Sequence, residues 1–464
     1  MLEYFLNNDK KNFKRNLKRL ISEIEALINI EELEIRTSKK DYYTSLKGLV
    51  SQSEANHINN LYFTLDQNKK KYPYFNKYFK DQAINLKTKH KFADLFAGCG
   101  GMSLGLENAG FNLVFANEIN STYCETLFFN KNIPHEHFYV DDIKKLIDNL
   151  KPFDNLLKGL DLVCGGPPCQ GFSMANRQRI IDDPRNNLYK SYLKFLQLTK
   201  PKFFIIENVK GMANKIDEIL ADIKIFLNDE TNKYNISYSL LNAKDYGLPQ
   251  NRERFFIIGN RIGIESKQIF ENIKKNKPKH SFVLNDALIN LPKLKPKNIK
   301  NKNDIESFDF GFTITKNSSN GSEFEKYLNN GREANYLFNH KNRYNNNRDV
   351  EIFKLLPQGA NSLHDSIKEI MPYSSRNHMF KDKYYKLKAN QPCKTITSHM
   401  KFDCNMYIHP TQSRGLSPRE AARIQTFPDD YFIRGTQNNW YAQVGNAVPV
   451  KLAEIIGKQI IKYL

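Results

Sequence analysis

The sequence predicts an α/β protein: a doubly wound, mostly parallel sheet with a smaller inserted domain and a helical N-terminal extension. Three observations carry this. From residue 92 onward, short apolar runs at 92–96, 113–116, 160–163, 203–206 and 255–258 alternate with helical stretches, the pattern of strand and crossover. Residues 262–393 break that alternation and hold 23 Lys and Arg against 14 Asp and Glu, nearly half of the chain's net charge of +20. Before residue 90, Leu17, Leu20, Ile21, Ile24, Leu27 and Ile28 recur at helical spacing beside a basic face.

These shifts divide the 464 residues into an extension (1–90), the first part of a catalytic domain (91–261), an inserted basic domain (262–400) and a return to the catalytic domain (401–464). No apolar run is long enough to span a bilayer, and the first residues are charged and polar rather than a secretory segment, so a cytoplasmic protein is expected. The six cysteines (Cys99, Cys124, Cys164, Cys169, Cys393, Cys404) form no CxxC pair and no zinc spacing, so reduced thiols and no metal are expected. The positive charge favours a polyanionic partner, although a genome-wide bias toward Lys and Asn would produce part of it.

The extension reads as helix interrupted at Tyr72-Pro73-Tyr74, with a basic face that is solvated, packed on a neighbour or turned toward nucleic acid. After it, the first strand leads into the glycine-rich turn Gly98-Cys99-Gly100-Gly101 and a helix, which brings backbone amides against a ligand. The turn is neither GxGxxG nor a phosphate-cradling loop, so a nucleoside without phosphates fits best. Glu118 lies 20 residues past Gly98, the distance at which an acid reaches ribose hydroxyls. Asp141-Asp142 follows; Asp142 reads as an adenine-amine acceptor or as a helix cap.

The next strand runs into Gly165-Gly166-Pro167-Pro168-Cys169, where two prolines force the chain out of regular structure and present one thiol at the carboxyl edge of the sheet. Read alone, Cys169 is a nucleophile or a buried structural cysteine. Glu207 ends the following strand, and Arg252 and Arg254 precede the last one, where alternation points both to one face. Residues 170–187 read as a polar basic loop, either closing over a ligand or lacking fixed structure. The basic module's length and aromatic content favour a folded unit over a linker, and the chain ends in a helical run.

In order and wording these segments resemble the cytosine-C5 DNA methyltransferases of restriction–modification type: DLFAGCGG at 94–101, PPCQGFS at 167–173, ENV at 207–209, QNRER at 250–254, RGLSPRE at 414–420 and QVGNAV at 443–448. The resemblance covers about 92–260 and about 394 to the end, and the basic module stands where the family keeps its target-recognition domain.

It implies a Rossmann-like methyltransferase fold and S-adenosylmethionine as cofactor. The residues matching its pocket are Phe96, Gly98, Gly101, Glu118, Asp142, Ile143, Leu188, Asn446 and Val448. It also implies Cys169 as nucleophile on C6 of a flipped cytosine, Glu207 at the cytosine N3 and N4 edge, and Arg252 with Arg254 around O2 and the thiolate. DNA contact is implied for Gln170, Ser173, Arg177, Arg179 and Thr395, the last in a Thr-Ile pair where the family has Thr-Leu. A monomer on double-stranded DNA, paired in function with a restriction endonuclease and held at the nucleoid by its DNA, completes the expectation. Methylation of tRNA and transcriptional regulation through the extension are the alternatives; intact Cys169, Glu207, Arg252 and Arg254 argue against a purely regulatory protein.

Overall fold

The computed structural model describes residues 1–42, 46, 48–79, 89–131, 133–168, 188–227, 233–278, 281–300, 305–318, 321–372 and 383–464. Its strands are β1 (Lys91–Leu95), β2 (Asn112–Asn117), β3 (Phe138–Tyr139), β4 (Leu162–Gly165), β5 (Phe203–Val209), β6 (Asn235–Asn242), β7 (Gln250–Asn251), β8 (Glu253–Asn260), β9 (Gly311–Lys316), β10 (Tyr336–Lys341) and β11 (Cys393–Lys394). Seven of them form one sheet in the order β3-β2-β1-β4-β5-β8-β6. The pairs from β3 to β5 are parallel, while β8 runs antiparallel to both β5 and β6. The expected doubly wound, mostly parallel architecture is therefore present, with an antiparallel edge.

Strands β4 and β5 are near-continuous apolar runs because both faces of the sheet are covered. Alternation sends Phe203 and Ile205 into one core and Phe204 and Ile206 into the other. Helices Leu188–Thr199 and Ile216–Leu227 cover the second face; Gly101–Asn108, Ser266–Lys275 and Val450–Ile460 cover the first. Helices Gly101–Asn108 and Val450–Ile460 meet at Gly105, where a Cβ would stand 2.3 Å from the Val450 carbonyl oxygen. A side chain there would push the terminal helix off the sheet.

Strand order reverses between β1 and β4, so a crevice opens at their carboxyl ends, where ligands bind in open α/β sheets. Two of the singled-out loops, after Leu95 and after Gly165, leave the sheet side by side at this point.

Helix Ser266–Lys275 buries Ile269, Phe270 and Ile273 in the core under the sheet. At the far end of the basic module β11 pairs in parallel with β7, tying the module's exit to the segment that carries Arg252. Between these points lie the antiparallel pair β9–β10, joined through helix Glu323–Leu328, and a small separate core around Ile352, Phe353, Leu356 and Tyr384.

The extension forms helices Leu2–Asn8, Phe13–Ile30 and Gln52–Asn68. Leu17, Leu20, Ile24, Leu27 and Ile28, the positions at helical spacing, enter the same core as the sheet. Hydrophobic burial thus fuses the extension to the catalytic domain. Among the described residues no helix is long and apolar enough to cross a membrane.

Candidate active site

Chain geometry after β1 builds the first half of the site. Phe96, Gly98 and Gly100 adopt positive φ of 57°, 56° and 82°. Glycine meets this without strain, whereas Phe96 holds a conformation that side-chain-bearing residues rarely adopt and that clusters at functional sites. The turn is closed by the Gly100 amide donating to the Ala97 carbonyl at 2.9 Å, and it enters helix Gly101–Asn108 directly. Gly101 is needed for close approach: a Cβ there would meet the Val448 carbonyl oxygen at 2.5 Å. Beside Gly98, in contrast, a Cβ would find nothing within 4 Å, so that face of the turn borders open space.

Glu118, at the end of β2, is buried, and its two carboxylate oxygens each accept one backbone amide, Asn120 at Oε1 and Gly98 at Oε2, both at 2.8 Å. Burial raises its pKa, and these amides pull it back. The carboxylate keeps acceptor capacity for a ligand hydroxyl. The neighbouring Ile119 is an exposed apolar side chain at 67 %. Sequence reading passed over it; an aliphatic residue between Glu118 and a helix cap is the signal that could have found it.

Asp142 caps helix Ile143–Asp148, its Oδ1 accepting the Lys144 amide at 2.9 Å, so one of its oxygens plays the part of a cap. Ile143 is buried at the start of that helix, and Leu188 opens helix Leu188–Thr199, half-buried against the same core. Asn446 is exposed at the end of helix Gln437–Asn446, and Val448 is buried over Gly101. An open face at Gly98, a buried acceptor at Glu118 and an exposed apolar residue beside it suit a nucleoside with free ribose hydroxyls.

The second half lies over β4 and β5. Their register sets Gly165 beside Ile206, and a Cβ on Gly166 would stand 3.0 Å from Glu207 Oε2. The Asn208 side chain donates from Nδ2 to the Pro167 carbonyl at 2.8 Å, fastening the Pro-Pro turn to the strand end that carries Glu207. Glu207 is buried, and Arg254 Nε meets its Oε1 at 2.9 Å. Burial raises the carboxyl's pKa, while Arg254 and, more weakly, Arg252 oppose this by stabilising the anion. The structure therefore brings Glu207 and Arg254 together at the foot of the Pro-Pro turn.

Arg252 is placed differently. Fully buried, it directs Nη1 to the Ile396 carbonyl at 2.5 Å and Nη2 to the Gly445 and Ala447 carbonyls at 3.1 and 2.8 Å. It ties two distant stretches, around Ile396 and at 445–447, to the segment that leads into β8. Thr395 Oγ1 donates to the Asn251 carbonyl at 2.7 Å. Cys169, Gln170, Ser173, Arg177 and Arg179 lie outside the described residues, the described chain ending one residue before the thiol at exposed Pro168.

Fold and site together define an α/β protein with a crevice at the switch point of its sheet, bordered by the Gly98 turn and Glu118, and a buried carboxylate–guanidinium pair beside it. A family model for C-5 cytosine-specific DNA methylase matches residues 90–462. The chain is 31 % identical over 381 residues to the Type II methyltransferase M1.HphI of Haemophilus parahaemolyticus, covering 80 % of this chain and 86 % of that protein. It is 33 % identical over 378 residues to the Type II methyltransferase M.MthTI of Methanothermobacter thermautotrophicus, covering 80 % and 97 %. Among solved structures it is similar to an E. coli prophage-encoded protein described as a DNA modification methyltransferase, with a TM-score of 0.62, 26 % identity and coverage of 80 % and 98 %. The chain belongs to the C-5 cytosine-specific DNA methylase family and is an enzyme of the DNA (cytosine-5-)-methyltransferase class.

Proposed function

We propose that this enzyme methylates C5 of one cytosine, flipped out of a specific short double-stranded DNA sequence, through a covalent bond between Cys169 and C6. The observation that carries this reading is the buried Glu207–Arg254 pair fastened to the Pro-Pro turn immediately before Cys169. S-adenosylmethionine, bound by Glu118, the Gly98 turn, Ile119 and the Val448 segment, supplies an electrophilic methyl group. The open face at Gly98 and the buried acceptor at Glu118 support that choice.

Cytosine C5 is a weak nucleophile, and the protein's task is to enrich it. The Cys169 thiolate adds to C6, forming a C–S bond and pushing the ring electrons toward C5 and N3. Glu207, whose pKa is raised by burial and opposed by Arg254 and Arg252, is the group placed to pass a proton to N3 as charge develops there. Arg254 holds the carboxyl in place and offers its remaining N–H groups to the O2 side of the ring. C5 would take the methyl from the sulfonium, which leaves as the neutral thioether S-adenosylhomocysteine; a water molecule then takes the C5 proton, and the C6–S bond breaks to return the Cys169 thiolate and restore the ring. Arg252 acts at a distance, holding the 395–397 and 445–448 segments against the site. The basic module reads the duplex, and the Type II names of the relatives support a protective role against a paired endonuclease.

The test is a duplex carrying 5-fluorocytosine at the target, where the C5 substituent cannot leave. Wild-type enzyme is expected to remain covalently attached, and Cys169→Ser to release the DNA. No adduct with the wild type, or an adduct that persists in Cys169→Ser, overturns the nucleophile assignment. Methylome sequencing of a host expressing the gene supplies the target sequence.

A further inference from the structure

The family match begins at residue 90, yet the extension before it is built into two functional regions at once. One end seats on helix Ser121–Asn130, which starts three residues after Glu118. The Asn120 side chain caps this helix while its backbone amide holds Glu118. At the first helical residue, the Tyr4 hydroxyl donates to the Ser121 carbonyl at 2.6 Å, and the Tyr4 ring stacks on Phe128 at 5.0 Å. A turn later, Arg19 from the extension reaches both oxygens of Glu125, at 2.5 and 2.6 Å. Near the helix end, Phe129 meets Tyr78 edge-on at 5.3 Å.

The other end seats on the β9–β10 pair of the inserted module. Tyr74 stacks on Phe338 at 5.2 Å and lies against Tyr336 at 5.1 Å. The Tyr336 hydroxyl donates to Glu31 Oε1 at 2.8 Å, and Lys316 Nζ meets Glu31 Oε2 at 3.4 Å. Glu31 follows helix Phe13–Ile30, the same helix that carries Arg19, so a single rigid rod joins the two seats.

We propose that the extension is a two-ended brace, one end positioning Glu118 for the cofactor through helix Ser121–Asn130 and the other fixing the β9–β10 pair of the basic module against the sheet. Tyr4 and Glu31 are its positioning residues. The inference rests on the cofactor reading of Glu118. The physical argument is that both seats are polar contacts with fixed direction superimposed on apolar burial. Burial holds the extension in place, while the directed hydrogen bonds set the angle at which each seat is held.

The test uses the full chain and two single substitutions that leave the apolar seats intact, Tyr4→Phe and Glu31→Ala. Calorimetric affinity for S-adenosylmethionine, affinity for the duplex that the wild type methylates, kcat at saturation and Tm are measured for each. Tyr4→Phe is expected to weaken cofactor binding about fivefold, the worth of one hydrogen bond, with duplex affinity and saturated kcat unchanged. Glu31→Ala is expected to weaken duplex binding by about the same factor, with cofactor affinity unchanged. Unchanged affinities in both variants overturn the brace, and so do affinities that fall together in each variant alongside a lowered Tm. Wild-type protein that binds no S-adenosylmethionine overturns the cofactor reading itself, a separate and distinguishable failure.

Discussion

At the scale of single residues, Glu207 decides whether the site works as an acid. Two opposing effects act on one carboxyl: burial favours its neutral form, and Arg254 at 2.9 Å favours its anion. Glu207→Gln keeps the shape and a hydrogen-bond donor but removes the transferable proton, so kcat is expected to fall about 10²- to 10⁴-fold while duplex affinity stays within about threefold. Single-turnover kinetics and filter binding separate the two. Arg254→Met tests the electrostatics. With the guanidinium gone, the pKa of Glu207 rises further, so the alkaline limb of kcat/KM, where the required proton is lost, moves to higher pH. A limb that stays in place would show that Arg254 does not govern this proton. Asp94 makes the same point for stability. Burial lifts its carboxyl to about 7, despite the hydrogen bond from Ser103. Below the unfolded-state pKa of about 4 both states are protonated. From there up to about 7 the unfolded chain loses its proton first, so the native state binds more protons and stability falls as pH rises. Asp94→Asn is expected to flatten the dependence of unfolding free energy on pH across that window; an unchanged slope in chemical denaturation would sink the assignment.

At the scale of elements, the structure turns on close approaches that only small residues allow. Gly105 and Gly101 let helices and segments from opposite ends of the chain meet backbone to backbone. Gly105→Ala would drive a Cβ into the Val450 carbonyl and is expected to cost about 1–3 kcal/mol of stability by overpacking, with little change in cofactor affinity. Gly101→Ala would strike the Val448 carbonyl beside the pocket and is expected to weaken cofactor binding about tenfold as well, since a displaced wall loses its contacts. Thermal melts and calorimetry tell the two apart. These elements also show what was legible in advance. β1, β2, β4, β5 and β8 were readable because strands covered on both faces become short, dense apolar runs, and the loops at their carboxyl ends carry constrained residues such as Gly98, Pro167 and Pro168. β3 was missed because two residues leave no pattern, and β6 because Tyr238 and Leu240 point outward from a mixed edge strand. The string QNRER placed two arginines together but could not say that Arg252 would face three carbonyls of remote segments, since those partners are 144 to 195 residues away. Burial of Leu17 to Ile28 was readable from spacing; the surface that buries them was not, because helical periodicity specifies a face and not its partner.

At the scale of the whole molecule, the question is whether the extension folds as part of the enzyme or as an appendage. Four buried or half-buried charges bind it to the rest of the chain. Arg19 and Glu23 come from helix Phe13–Ile30, Glu125 from helix Ser121–Asn130 and Arg434 from the C-terminal segment. The Arg434 guanidinium donates to Glu23 and Glu125, and it lies 4.8 Å from the ring centroids of both Phe129 and Phe432. Two cations and two anions cancel, which is the condition for burying them at all. Glu23→Gln breaks the balance, leaving Arg434 and Arg19 with one carboxylate, and a broken buried pair costs about 3–5 kcal/mol. Because the extension shares one apolar core with the sheet, that cost is expected to lower the denaturation midpoint of the entire molecule. Circular dichroism and the fluorescence of Trp440, which lies on helix Gln437–Asn446 far along the chain from the substitution, should then report a single shifted transition. If circular dichroism detects an early loss of helix while Trp440 still reports a native environment, the extension unfolds on its own, and the charge cluster is a surface clasp rather than part of the common core.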